Sequence, residues 1–400
     1  MKIAGIICEY NPFHNGHLYH IEQTRKSGAT HIVAVMSGNF VQRGDIAVMD
    51  KFERAKLAVR CGADLVIEIP AVYSLSSAEF YARGAVHILN SLGCVERLSF
   101  GSECGNENDL SLAAIAGEEC SASDELEQLL RGGMSYPNAM STLVREKYGY
   151  KMSELFRSPN NLLGIEYIKA LKKCSSSIKP FTVTRKSAMH DSMEVSGGIA
   201  SASYIRKCIG DGTDFSEFVP KLVSDAYKKC CEKGMTADIS NLERILLYTL
   251  RMTDPETLML VPDVGQGLEY RICESASSSS LEELLSKVKT KRYTMARIKR
   301  ILLSMLIGIK KQDMRVLPPY GRILSLNERG CEILSKAKGK SSIPFSTSLS
   351  KRAETSVDAW RFAQLEAKAS DIYGLAMNSI HSSEMDYRAK IGVIGDGGFF

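Results

Sequence analysis

The first hundred residues repeat one arrangement of apolar and polar positions. A strand-type apolar run at 3–8 breaks at Asn11-Pro12, a turn signal, and from Asn15-Gly16 to about Arg25 the spacing is that of an amphipathic helix. Leu18 and Ile21 lie on one side of that helix. A second buried-strand run at 31–36 leads into a polar, glycine-containing loop at 37–45. Asp50 is placed to cap a helix through Val59, and a strand at 64–69 is stopped by Pro70. A helix over 77–92 and a fourth strand over 95–100 complete the series. Short continuous apolar runs of this kind suit strands covered on both faces. Their alternation with helices predicts a parallel sheet with right-handed crossovers.

Beyond this series the period changes. Helices with a Gly132-Gly133 break fill 108–148, another helix covers 162–172, and 180–185 reads as a further strand. From Phe215 onward long helical patterns dominate, at 218–231, 242–252, 281–287 and 358–377. The serine run at 277–280 reads as a loop, and a strand-like stretch at 323–326 begins a small mixed element. The expected fold class is α/β, a Rossmann-like parallel sheet followed by a mainly helical region.

Four hundred residues exceed what one core usually supports, so two domains, or one with a large extension, are expected. With 44% apolar and 24% charged residues the chain has the composition of a folded soluble protein. No apolar run is long enough for a bilayer, and the first strand lacks the length and flanks of a signal peptide, so a cytosolic location is expected. The eleven cysteines include no CxxC pair and read as reduced thiols. Cys8 is most simply the last apolar residue of the first strand. The net charge of +5 matters through where it gathers. Lys287, Lys289, Lys291, Arg292, Arg297, Lys299 and Arg300 stand together without an acid between them. Such a run is either a solvated face or a phosphate-tracking surface for nucleic acid, with Tyr293 available for stacking.

The candidate chemistry lies at the first turn. His14 and His17 flank Gly16 where the helix begins, and residues three apart there share a face. Two imidazoles beside a helix N-terminus, with no Cβ at Gly16, suit a triphosphate whose charge must be held while one bond breaks.

The string HNGH at 14–17 matches the HxGH signature of the HIGH-type nucleotidylyl transferase superfamily. The longer strings EYNPFHNGH at 9–17 and SGNFVQRG at 37–44 resemble those of the bacterial tRNA(Met) cytidine acetate ligase family. The resemblance implies His14 and His17 as catalytic residues within an ATP-binding stretch. That stretch comprises Ile7, Cys8, Glu9, Tyr10, Asn11, Pro12, Phe13, His14, Asn15, Gly16, His17, Leu18, Tyr19 and His20. It also implies ATP contacts for Gly101 after the fourth strand, for Asn160 in the string SPNNLLGIEY, and for Arg185 at a strand end. Asn161 is then the better helix cap. ASASYIR at 200–206 resembles the second superfamily signature, usually written ISSTxIR, but with alanine at 200 and 202 and serine at 203. Ser201, Ser203 and Arg206 keep two hydroxyls and the arginine for phosphate, and a capping role for this segment stays open. Two signatures that far apart make 1–212 one HIGH-type nucleotidyltransferase domain, with 213–400 the mainly helical, tRNA-binding part.

The implied reaction converts ATP and acetate to acetyl-adenylate and passes the acetyl group to N4 of the wobble cytidine of elongator tRNA(Met), with Mg2+ on the triphosphate. A small-molecule adenylyltransferase and a nucleotide-binding regulatory protein without turnover are the alternatives. Metal ligands and a general base for the amine are not identifiable from the sequence.

Overall fold

The structure, a computed structural model, describes residues 1–185, 200–391, 393–395 and 398–399. Seven strands come first in the chain: β1 (Ile3–Cys8), β2 (His31–Ser37), β3 (Phe40–Val41), β4 (Asp45–Ile46), β5 (Leu65–Ile69), β6 (Arg97–Ser102) and β7 (Lys179–Thr184). Four follow in the C-terminal part: β8 (Gly321–Asn327), β9 (Phe345–Ser346), β10 (Val393–Gly395) and β11 (Gly398–Phe399). The main sheet runs β11-β10-β8-β5-β2-β1-β6-β7, with β9 on β8, while β3 and β4 form a separate hairpin. From β5 through β7 all neighbours are parallel, as the strand-helix alternation predicts. The order reverses between β1 and β6, which opens a crevice at their carboxyl ends, where open α/β sheets bind ligands.

Helix α1 (Asn15–Lys26) follows β1, and α2 (Lys51–Arg60) begins at Asp50, whose side chain accepts from Phe52 N–H as the sequence predicts. Side chains of successive strand positions fall into two cores, one per sheet face. Ile3, Ile7, Val33, Val35 and Ile67 join one core, and Ile6, Met36 and Val66 the other. The first core continues without a break into Leu250, Ile301 and Phe362 of the C-terminal helices. Strand β8 pairs antiparallel with β5, so the main sheet extends past the 212/213 boundary drawn on the sequence.

The seam between α2, β5 and the C-terminal elements is ionic and buried. Lys51 Nζ lies 2.6 Å from Glu68 and 2.8 Å from Asp386, and Ser370 donates to Asp386. Glu366 accepts from the Ala71 N–H at 2.6 Å. Burial raises the carboxyls of Glu68 and Glu366 above the usual range, against the pull of Lys51.

Candidate active site

The first turn of α1 is capped by the two histidines themselves. His14 is the N-cap, in extended backbone, and its Nδ1 accepts from Gly16 N–H at 3.1 Å. His17 Nδ1 in turn accepts from His14 N–H at 3.2 Å, a reciprocal capping box built from imidazoles. The rings stack with centroids 3.6 Å apart, and Tyr10 meets His17 edge-on at 4.9 Å. The bare helix N–H groups expected to face a phosphate are therefore partly engaged already. The rings, not the backbone alone, carry the donors.

Two accepted hydrogen bonds settle the chemistry of these imidazoles. Because each Nδ1 accepts from backbone, a neutral ring carries its proton on Nε2. Burial, followed by the positive charge of Arg185 and Arg206, pushes His14 down to about 3. His17 is held well below the ordinary histidine value by burial, then by His14, Arg185 and His20. Burial and Arg185 lower His20 to about 4, and its Nε2 lies 2.9 Å from Ser99 Oγ. The trio is neutral at physiological pH, with Nε2–H groups as donors at His14 and His17.

Three more elements converge here. Arg206, on the helix Ala202–Asp211, donates to the Asn11 carbonyl at 2.9 Å and to Ser203 Oγ at 3.2 Å. Ser201 is that helix's N-cap, accepting from Tyr204 N–H, so the capping role left open for this segment is realised. Arg185 follows β7 and donates to Asn160 Oδ1 at 3.0 Å. Asn160 donates to Glu103 at 2.6 Å, and Glu103 also accepts from the Asn161 N–H at 2.8 Å.

These contacts correct two local expectations. The cap of the helix Pro159–Lys173 is Ser158, not Asn161, and the Glu103 carboxylate takes its first-turn N–H groups. Asn161 Oδ1 instead accepts from the N–H groups of Glu103 and Cys104, fastening the loop after β6. Gly101 lies inside β6 rather than after it, and a Cβ there would press on Arg185 Cγ at 3.2 Å.

The cleft enclosed by these elements has a volume of about 430 Å³. Of the predicted residues, Ile7, Cys8, Glu9, Tyr10, Asn11, His14, Gly16, His17, Tyr19 and His20 line it, together with Gly101, Asn160, Arg185, Ser201, Ser203 and Arg206. Pro12, Phe13, Asn15 and Leu18 lie outside that lining. Phe13 packs under Tyr10, the Asn15 amide donates to the Glu217 carbonyl, and Leu18 packs against the core. Burial drives the Cys8 thiol far up, which suits its reading as an apolar strand residue.

Sequence reasoning passed over Glu103, Arg54 and the lining residues Gln42, Arg43 and Asp45. Arg54 is 1% exposed and donates to four carbonyls, those of Met49, Glu9, Ser37 and Gly38, pinning the ends of β1 and β2. Gln42, Arg43 and Gly44 belong to the string SGNFVQRG, which marked the segment without assigning it a role. Nothing local marks Arg54 as buried.

The basic segment divides. Lys289 and Lys291 are exposed, while Lys287 pairs with Glu283 at 2.6 Å. Lys299 is half-buried. Arg300 binds the Asp263 carboxylate at 2.8 Å and Arg297 the Asp263 carbonyl at 2.7 Å. Tyr293 is not available for stacking: it is buried, its hydroxyl donates to the Gln266 carbonyl, and the Arg292 and Arg297 guanidinium groups lie over its ring. Among the described residues no helix is long and apolar enough to cross a membrane, and no cluster of three or more histidine, cysteine or acidic side chains could hold a metal ion.

Comparison with known proteins agrees with this architecture. The family model described as HIGH Nucleotidyl Transferase matches residues 1–388. A tRNA(Met) cytidine acetate ligase of Alkaliphilus metalliredigens is 39% identical, over 97% of this chain and 97% of its own length. One from Thermoanaerobacter sp. is also 39% identical, over 97% of this chain and 98% of its own. A crystal structure of Thermotoga maritima TmcAL bound with alpha-thio ATP superposes with a TM-score of 0.89 at 31% identity, covering 98% of this chain and 99% of that one. The chain belongs to the HIGH nucleotidyl transferase family and, within it, to the tRNA(Met) cytidine acetate ligase family.

Proposed function

We propose that this protein is an ATP-dependent acetate ligase that acetylates N4 of the wobble cytidine of elongator tRNA(Met). The observation that carries the reading is the pair of stacked, neutral imidazoles at the β1 carboxyl end, flanked by Arg185 and Arg206. Neutral donors and fixed cations are what a triphosphate needs when one of its bonds breaks, and no proton has to move. An acetate oxygen attacks the α-phosphorus and pyrophosphate departs, its charge held by the His14 and His17 Nε2–H groups and by the two arginines. Mg2+ would come bound to the triphosphate and neutralise its oxygens, since this ion relies on phosphate oxygens and few protein ligands. The resulting acetyl-adenylate is a mixed anhydride, reactive enough for a cytosine amine whose lone pair is delocalised into the ring. That amine lies in a single-stranded loop, where a protein can splay the base out.

The helical part, 213–400, supplies the tRNA surface in this reading. Lys289, Lys291, Arg292 and Lys299 take phosphates, while Lys287, Arg297 and Arg300 are held by the protein and shape the surface. With ATP and tRNA as substrates, the work belongs in the cytosol. Incubation with ATP, labelled acetate and total tRNA, followed by nucleoside analysis, tests the proposal. Label in N4-acetylcytidine, with AMP and pyrophosphate as co-products, is expected. ATP turnover that leaves tRNA unlabelled refutes it and favours a small-molecule adenylyltransferase.

A further inference from the structure

Adenylation leaves Glu9, Arg43 and Asp45, charged residues of the cleft lining, without work. Glu9 lines the same cleft as His14 and His17, yet a carboxylate repels phosphate. It is also held firmly. Its carbonyl accepts from Arg54 at 2.5 Å, and its Oε1 accepts from the Gln42 N–H at 2.9 Å. Gln42 begins the tip of the β3–β4 hairpin, and the Gln42 carbonyl is reached by Arg300 at 3.5 Å. Gly44 closes the tip with φ +71, so tightly against the helix Met295–Ile307 that a Cβ would fall 2.6 Å from Arg300 N and 2.9 Å from the Ala296 carbonyl. The tip is thereby clamped between the cleft and the basic segment. Arg43, exposed at its apex, also lines the cleft.

The edge of cytosine offers an N4–H donor beside the N3 and O2 acceptors, and a carboxylate is the natural acceptor for N4. A carboxylate next to a guanidinium complements that edge, whereas uracil would turn its O4 lone pairs toward the carboxylate. We propose that Glu9 and Arg43 form the acceptor-base subsite, in which Glu9 receives the N4–H and acts as general base, and Arg43 donates to the ring acceptors. This rests on the acetate-ligase reading. In the step, the N4 lone pair attacks the acetyl carbonyl carbon, and the bond from that carbon to the adenylate oxygen breaks. AMP departs with the electron pair, the N4 proton passes to the Glu9 carboxylate, and Glu9 later releases it to water.

The test uses the full chain with Glu9→Gln, Glu9→Asp and Arg43→Ala, and two readouts. One is acetate-dependent pyrophosphate exchange without tRNA. The other is single-turnover transfer from enzyme preloaded with acetyl-adenylate to elongator tRNA(Met), followed across acid to neutral pH. Glu9→Gln should slow transfer by about a hundredfold or more, by a larger factor than exchange, and abolish the rise of transfer with pH that a general base predicts for the parent. Glu9→Asp should recover part of the transfer. Arg43→Ala should cut by about tenfold the preference for binding this tRNA over the same tRNA with uridine at the wobble position. Equal losses in both readouts for Glu9→Gln would make Glu9 a nucleotide-site residue and overturn the proposal, as would undiminished transfer. Failure of the acetate-ligase reading is distinct, because the unsubstituted protein would then show no acetate-dependent exchange.

Discussion

In the proposed mechanism His14 does two jobs with two nitrogens, and substitution can separate them. Nδ1 accepts from Gly16 N–H and caps α1, while Nε2–H remains for phosphate. His14→Asn keeps a short side-chain acceptor able to reach the same N–H but has nothing at the position of Nε2. His14→Ala loses both. The cap is worth about 1 kcal/mol, within the usual range of roughly 0.5–2. One preorganised donor is worth about a hundredfold to a thousandfold in rate, or roughly 3–4 kcal/mol in the transition state. Both variants also lose the ring stacked 3.6 Å from His17, so that cost is common to them. Acetate-dependent pyrophosphate exchange should therefore fall by at least about a hundredfold in both variants. Urea unfolding should find His14→Ala less stable than His14→Asn by about 1 kcal/mol. Exchange within a few-fold of the parent in His14→Asn would refute the donor role, and equal stability of the two variants would refute the capping role.

Three further outcomes are expected. Lys51→Met strands two carboxylates, Glu68 and Asp386, that are 2% or less exposed, and should cost about 3–5 kcal/mol in denaturant unfolding, part of it recovered by adding Glu68→Gln. Because His14 and His20 titrate near 3 and 4 in the fold against an ordinary 6.5, the unfolded chain takes up protons first as pH falls. Stability should then be fully present above about 6.5 and decline toward about 4, a slope that His20→Gln makes shallower in melts at several pH values. Replacing Lys289, Lys291 and Arg292 with alanine should weaken tRNA binding and flatten its salt dependence by roughly one unit per lost phosphate contact; an unchanged slope returns the segment to ordinary solvated surface.

The centre of the parallel sheet was legible because β1, β2 and β5 are buried along their whole length and appear as nearly continuous apolar runs. Observed bounds differ from the expected ones by a residue or two, as for β2 at His31–Ser37 against 31–36. Strand β8 was visible as a strand at 323–326, but not as a neighbour of β5. Pairing between residues more than two hundred positions apart leaves no periodic trace in either segment. The ionic seam is hidden for the same reason. Lys51, Glu68 and Asp386 each look like ordinary polar residues until the fold removes all three from water.

At the site, spacing alone reached only what was local; Gly101, Asn160, Arg185, Ser201, Ser203 and Arg206, which come from other elements, were reached through the resemblance. His14 and His17 share a helical turn, so spacing alone put them together. Their protonation is suppressed first by burial and then by charge reaching them from other elements, Arg185 for both and Arg206 for His14. Asn160, read as a ligand, lines the cleft, but Asn161 is not the cap: Glu103, 58 residues earlier, accepts its N–H at the helix start, and Asn161 Oδ1 fastens the loop after β6. Tyr293 was misread by the same logic, because an aromatic ring among basic residues looks identical in sequence whether it faces solvent or, as here, is covered by two guanidinium groups. Burial is the main force keeping these imidazoles neutral, and a cationic neighbourhood adds to it, so the arginines that would attract a triphosphate also help hold the histidines neutral before it arrives. In the proposed reaction a ring held in that state would offer phosphate its Nε2 proton as a hydrogen bond and not as a transferable charge, and the departing pyrophosphate would be stabilised without acid catalysis.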